Sequence, residues 1–161
     1  MRDTRRKTWA AQRAVDPMPT IQAPAPPFRT TPNLPTRSAA KPRVLLADDY
    51  VPLLRALTRL LEDDCHLVGH ATTVAELFEL VDICQPDVVV LDISLPDRNG
   101  IEACRQLRLV HPAVKIVILT AMDDERIREA ALQAGACHFV TKALVHEDLA
   151  PAIRSAVSEH H

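Results

Sequence analysis

The sequence predicts an α/β fold: a doubly wound parallel sheet of five strands with five helices spread over its two faces. Five short aliphatic runs alternate with five longer runs of helical period between residues 44 and 159. Such alternation needs parallel strands joined by crossovers, which lay helices on both sides of the sheet. The third run, "VVVL" at 88–91, is apolar at every position, as a strand buried on both faces must be. Right-handed crossovers then leave only a few doubly wound topologies.

The elements follow in order. "VLLAD" (44–48) reads as the first strand, and Leu53, Leu54, Leu57, Leu60 and Leu61 after it fall at helical spacing, with Pro52 suited to a first turn. "HLVGHA" (66–71) is the second strand, and Thr72 or Thr73 caps the helix "VAELFELVDICQ" (74–85). "DVVVLD" (87–92) is the third strand, followed by the helix "GIEACRQLRLVH" (100–111), which Pro112 ends. "KIVILTA" (115–121) is the fourth strand, and "DDERIREAALQAGA" (123–136) a helix with acids at its start and Gly135 at its end. "CHFVTK" (137–142) is the fifth strand. "HEDLAPAIRSAVSE" (146–159) is the last helix, which Pro151 is expected to kink or delay.

Residues 1–42 have another texture. They hold eight of the thirteen prolines, no glycine and no strand or helix period. Such a stretch cannot bury enough apolar surface to offset chain entropy, so a disordered or polyproline-like extension is expected, ahead of a domain at 43–161. Residues 1–43 carry a net charge of +7, and residues 44–161 a net of −9. A basic tail on an acidic domain could touch nucleic acid, a membrane or an acidic partner, or serve no function of its own.

Composition excludes several classes. Aromatics make up 3% of the chain, so the core must come from Leu, Val, Ile and Ala. Cys65, Cys84, Cys104 and Cys137 are scattered with no metal or redox spacing and read as small hydrophobes in a reducing compartment. The histidines are spread over different elements and read as bland. No apolar run reaches the length of a membrane span, and Arg5–Arg6 has no apolar segment after it, so a cytoplasmic protein is expected. With three glycines and no phosphate-binding glycine loop, nucleotide binding is disfavoured.

Doubly wound folds place their sites at the carboxyl ends of the strands. Strand one ends in Asp48–Asp49, strand three in Asp92, strand four in Thr120 and strand five in Lys142. Any one of these acids reads more simply as a helix cap. Together, three converging carboxylates repel and demand neutralisation, by Lys142 and by a hard divalent cation such as Mg²⁺. A carboxylate not committed to metal is free to attack phosphorus, with the cation, Lys142 and Thr120 stabilising the oxygens in flight.

Those residues carry a resemblance. "LLADDY" (45–50), "VVVLDISLPDRNG" (88–100), "IVILTA" (116–121) and "CHFVTK" (137–142) stand in the order and spacing of the response regulator receiver family, the CheY-like domains of two-component systems, over about three quarters of the chain. The resemblance implies a flavodoxin-like sheet of order 2-1-3-4-5. It implies Asp92 as phosphoacceptor, with Mg²⁺ held by Asp48, Asp49, Asp92 and the Ser94 carbonyl. Thr120 and Lys142 would assist the transfer, and Thr120 and Phe139 would form the switch, although core packing explains Phe139 equally well. The donor would be a histidine kinase or histidine phosphotransfer protein. A receiver is not an enzyme beyond its own phosphorylation and slow autodephosphorylation.

Three further expectations rest on the resemblance. Ala143 stands where the family often has a cis proline. A non-proline cis bond costs about 2.5–4 kcal/mol, so a trans bond or a strained loop is expected. Ser94 and Met122 stand where an acid or amide would orient the hydrolytic water, which implies a long-lived phosphoryl group. The motifs look most like receivers that precede a helix-turn-helix domain, yet only 19 residues follow Lys142, so a stand-alone receiver without a DNA-binding domain is expected. Its signal would leave by protein contact with a downstream target, and a homodimer through the face of helix four, strand five and helix five is an open alternative. Rival readings are a phosphorylation-independent interaction module or phosphate sink, and a phosphohydrolase. The second usually needs an acid two residues past its nucleophile, where Ser94 stands.

Overall fold

The computed structural model describes residues 40–159. Most of the extension expected at 1–42 therefore lies outside the described residues. The strands are β1 (Arg43–Ala47), β2 (His66–Ala71), β3 (Val88–Leu91), β4 (Lys115–Thr120) and β5 (His138–Thr141). The helices are α1 (Val51–Leu61), α2 (Val74–Cys84), α3 (Gly100–Val110), α4 (Glu125–Gln133) and α5 (Val145–Ser158). All five strands pair in parallel, in the order β2-β1-β3-β4-β5 expected from the resemblance.

The uniform aliphatic runs are explained by two cores, one on each sheet face. Leu45, Val89, Leu91, Ile116 and Ile118 point to one face, under Leu77 and Val81 of α2, Ala103 and Leu107 of α3 and Ala131 of α4. Val44, Leu46, Val88, Val90, Val117 and Leu119 point to the other, under Leu54, Leu57 and Leu61 of α1 and Leu149 and Ile153 of α5. Each buried Leu or Ile side chain stabilises the fold by about 1.5–3 kcal/mol through removal from water. Cys65 and Cys104 lie in these cores, where burial pushes both thiols up to about 11, and no described cysteine is in a disulfide. They pack as small hydrophobes, as the sequence suggested. No described helix is long and apolar enough to cross a membrane.

Helix ends follow local chemistry. Thr73, one of two candidates, caps α2 by accepting from the Glu76 N–H, and Glu76 reaches back to the Thr72 N–H and hydroxyl. α4 is shorter than the 123–136 read from sequence. Asp124 lies outside it as the cap, accepting from Arg126 N–H, and Asp123 precedes the cap. At its far end Gly135 has φ +104, and the Gly135 and Ala136 N–H groups return to the Leu132 and Ala131 carbonyls. That pair of bonds is the Schellman termination, and it needs a left-handed residue where Gly135 stands.

Two expectations are corrected. Pro151 does not delay the last helix: α5 starts at Val145 and runs through Pro151 to Ser158. The three-residue 3₁₀ turn Lys142–Leu144 feeds directly into α5, and Pro151 sits on the exposed side of that helix. Lys142 also lies one residue past β5, at the start of that turn, rather than at the strand's last position. No cis peptide occurs among the described residues, so the Lys142–Ala143 bond is trans.

Candidate functional site

Strand register builds the site. Ala47 of β1 is level with Leu91 of β3, and both strands end there, so Asp48 and Asp92 leave the sheet side by side. Both backbones stay in the ladder for one more bond, Asp48 N–H to Ala71 O at 3.0 Å and Asp92 N–H to Ala47 O at 2.9 Å. The aliphatic strands thus aim two acids rigidly at the carboxyl edge. Both are buried, at 2% and 3% exposure, while Asp49 is open to solvent. Carboxylate oxygens of Asp48, Asp49 and Asp92 all lie within 4.8 Å of one another.

Lys142 reaches this cluster from two strands away. Adjacent strands stand about 4.8 Å apart, so only a long side chain spans from the end of β5 past β4. Its Nζ lies 2.9 Å from Asp92 Oδ2, which accepts a hydrogen bond, and 2.6 Å from Asp48 Oδ2. The Asp48 contact is an ion pair at an angle unlike that of a hydrogen bond, which leaves Asp48 Oδ2 buried without a directed donor. The other oxygens are held by backbone: Asp48 Oδ1 accepts from Tyr50 N–H at 2.8 Å, and Asp92 Oδ1 from Ser94 N–H at 3.0 Å.

Burial pushes the Asp92 carboxyl up from its ordinary range. The Ser94 N–H and Lys142 pull it back only in part, and Asp48 adds to the rise. Burial pulls Lys142 down, but the Asp48 and Asp92 carboxylates beside it outweigh that and leave it above the usual lysine value. One ammonium thus serves three carboxylates. The excess negative charge and the undonated Asp48 oxygen fit a hard divalent cation, which takes oxygen ligands and keeps several waters.

The remaining expected residues are placed as follows. Thr120 ends β4, fully buried; its hydroxyl oxygen accepts from Met122 N–H at 3.2 Å, and no described hydrogen bond joins it to Asp92. Ser94 follows Asp92 in the exposed part of the loop. Phe139 is half-buried on β5, level with Ile118, with the Arg128 guanidinium of α4 4.7 Å from its ring centroid.

Asp97, in the loop after Asp92, and Gly100, the first residue of α3, were not assigned a role from sequence. Asp97 accepts from the Val74 and Ala75 N–H groups at 2.8 and 3.1 Å, so its carboxylate sits on the N-terminus of α2. Gly100 lies so close to the loop that a Cβ there would stand 2.4 Å from Ile93 Cα and 2.7 Å from the Asp92 carbonyl oxygen. The loop is thereby pinned at both ends of its reach. The α2 N–H groups hold the Asp97 carboxyl below its usual value. A depressed carboxyl contributes stability that is present at neutral pH and lost as pH falls through the folded-state value. Asp97→Ala is therefore expected to lower the melting temperature at neutral pH, with the gap closing in acid below about pH 4. Thermal unfolding of both proteins across that range checks it, and a gap that persists in acid would contradict the charge origin.

The comparisons agree with this geometry. The family model described as the response regulator receiver domain matches residues 44–154. DNA-binding transcriptional activator DevR/DosR of Mycobacterium tuberculosis is 40% identical over 114 residues, covering 70% of this chain and 52% of that protein. Transcriptional regulatory protein DesR of Bacillus subtilis is 37% identical over 117 residues, 71% of this chain and 58% of that one. A LuxR-family two-component response regulator from Aurantimonas sp. superposes with a TM-score of 0.70 at 31% identity, over 74% of this chain and 86% of the other. The receiver domain of the putative response regulator NarL from Mycobacterium tuberculosis gives 0.70 at 26% identity, over 74% and 98%. The chain spans little more than half the length of these curated relatives.

Proposed function

The chain belongs to the response regulator receiver family, and we propose that it takes a phosphoryl group from a histidine kinase or histidine phosphotransfer protein onto Asp92. One observation carries the reading: Asp92 is a buried acid, oriented by the Ser94 N–H and by Lys142, in a cluster that holds more negative charge than Lys142 balances. An Asp92 carboxylate oxygen attacks phosphorus, the phosphorus–nitrogen bond of the phosphohistidine breaks, and the imidazole leaves with the bonding pair. An acyl phosphate results.

Asp48, Asp49, Asp92 and the Ser94 carbonyl are the groups proposed to hold Mg²⁺, which when bound supplies charge neutralisation for the phosphoryl oxygens. Lys142 starts between Asp48 and Asp92 and is available to pair with the new phosphate. The Thr120 hydroxyl turns from the Met122 N–H to a phosphoryl oxygen, and Phe139 follows into the space released. The change is read on the face of α4, β5 and α5 by a protein target or a second phosphorylated copy. A two-state element of a few kcal/mol is sufficient for such a switch.

Incubation with acetyl phosphate and Mg²⁺ tests the reading. A mass gain of one phosphoryl group is expected with Mg²⁺ and none with a chelator; labelling indifferent to the chelator would contradict the cation's part in it. The label is expected to persist well beyond seconds once donor is removed. Ser94 is short and Met122 is an apolar side chain 43% exposed, so neither fixes an attacking water. Decay within seconds would show that something else orients it.

A further inference from the structure

The two most exposed large apolar side chains among the described residues, Leu109 and Ile83, lie away from the acidic edge. Ile83, in the last turn of α2, is 76% exposed, and Leu109 and Val110, in the last turn of α3, are 77% and 60% exposed. Both helices start at the carboxyl edge of the sheet and run back, so this patch sits at the opposite edge from Asp92. An open groove runs between the two helices, walled by Phe78 and Asp82 on one side and Gln106, Leu109, Val110 and His111 on the other. Lone exposed apolar residues are ordinary; several together on neighbouring helices mark a contact surface.

Charge narrows the occupant. α2 carries Glu76, Glu79 and Asp82 and no base. α3 carries Arg105 and Arg108 against one acid, Glu102. Some of this charge is matched internally: Glu102 pairs with Arg105, Asp82 with His111 at 3.1 Å, and Arg108 donates to the Pro112 and Val114 carbonyls. Glu79 is exposed on α2, four residues before Ile83 and beside the groove's lining rather than in it. A uniformly charged partner would match one wall and be repelled by the other. A second copy matches both, because a two-fold axis lays α2 of each chain against α3 of its mate.

We propose that the α2–α3 face is the contact between two copies of the unphosphorylated chain. Leu109 and Val110 of each copy enter the groove of the other, and Glu79 of each meets Arg105 of the other. The contact is separate from the α4–β5–α5 face. Two helices about 16 Å long and about 10 Å wide present a face of roughly 300 Å², well under the roughly 800 Å² per partner of a standard interface, so the dimer is weak and depends on concentration.

Sedimentation equilibrium of the full unphosphorylated chain, taken up to about 1 mM, reads the dimer directly. A monomer–dimer equilibrium is expected for the wild type, weakened at least tenfold by Leu109→Asp and by Glu79→Arg or Arg105→Glu alone. The double variant Glu79→Arg/Arg105→Glu is expected to return to within a few-fold of wild type. Leu109 is exposed, so Leu109→Asp should keep the wild-type melting temperature and Asp92 labelling, which separates lost association from lost folding. A wild type monomeric throughout, a dimer that Leu109→Asp leaves unchanged, or a double variant no better than the singles would each overturn the proposal.

Discussion

Lys142→Met is expected to lower the stability of the metal-free chain by about 2 kcal/mol at neutral pH, while tightening Mg²⁺ binding about tenfold or more. Lys142 is the ammonium that touches both Asp48 and Asp92, at 2.6 and 2.9 Å, and those acids are 2% and 3% exposed. Removing it leaves two buried carboxylates facing one another. A fully buried broken pair costs about 3–5 kcal/mol, and the figure here is smaller because the Lys142 side chain is 24% exposed and partly screened. Cation binding improves for the same reason: the ammonium no longer competes for the same oxygens.

The pH dependence has a defined sign. Burial first, then Asp48, raise Asp92 against the pull of the Ser94 N–H and Lys142. A group raised in the folded state favours folding below its unfolded value and loses that contribution as pH rises through the folded one. The ionised Asp92 is therefore a cost at neutral pH, enlarged when Lys142 is gone, and the gap between variant and wild type should narrow as pH falls into the acid range. Lys142 is itself raised, so the wild type alone should lose stability as pH climbs past about 10.4. Denaturant unfolding with and without Mg²⁺ measures all three effects. A variant as stable as wild type at neutral pH would mean that the acids are neutralised without Lys142.

Gly100→Ala is expected to cost about 3 kcal/mol and to cut phosphoryl labelling of Asp92 at least tenfold. The added Cβ would stand 2.4 Å from Ile93 Cα and 2.7 Å from the Asp92 carbonyl oxygen. Both are backbone atoms and cannot swing aside, so either α3 backs away from the sheet or the loop after Asp92 shifts. The Gly100 N–H also bonds the Ile93 carbonyl at 3.0 Å, so the loop loses a clamp and Asp92 its aim. Gly69→Ala is the comparison. There the nearest atom is the Leu45 side-chain Cδ1 at 3.1 Å, which can give, and labelling should survive. Melting temperatures and labelling rates of the two variants check the contrast; equal losses would contradict it.

The sheet and the acidic cluster were legible because each was written in local sequence. Short uniform runs rich in β-branched residues, such as Val88–Leu91, read as strands buried on both faces, and an acid following such a run is aimed by the strand. What the sequence did not show depends on contacts between distant segments. Asp97 lies 23 residues from Val74, whose N–H it accepts, so nothing in its neighbourhood reveals it as a cap. The need for Gly100 comes from a close approach to Ile93 that exists only after the loop closes. Arg128 over Phe139 joins α4 to β5 and has no periodic signature. The start of α4 was misjudged because consecutive acids at 123–125 all suit a first turn, and only the Asp124 hydrogen bond to Arg126 N–H identifies the cap. Pro151 was weighed as a breaker, yet the turn at Lys142–Leu144 starts the helix six residues earlier.

The claim on which the rest depends is that Asp92 is the residue that accepts phosphate. An acyl phosphate is reduced by borohydride, which converts the labelled aspartate to homoserine and marks its position for peptide mapping by mass spectrometry. After labelling in the presence of Mg²⁺, homoserine is expected at position 92 alone, and the Asp92→Asn protein should yield none. Homoserine at Asp48 or Asp49, or undiminished labelling of Asp92→Asn, would contradict the account.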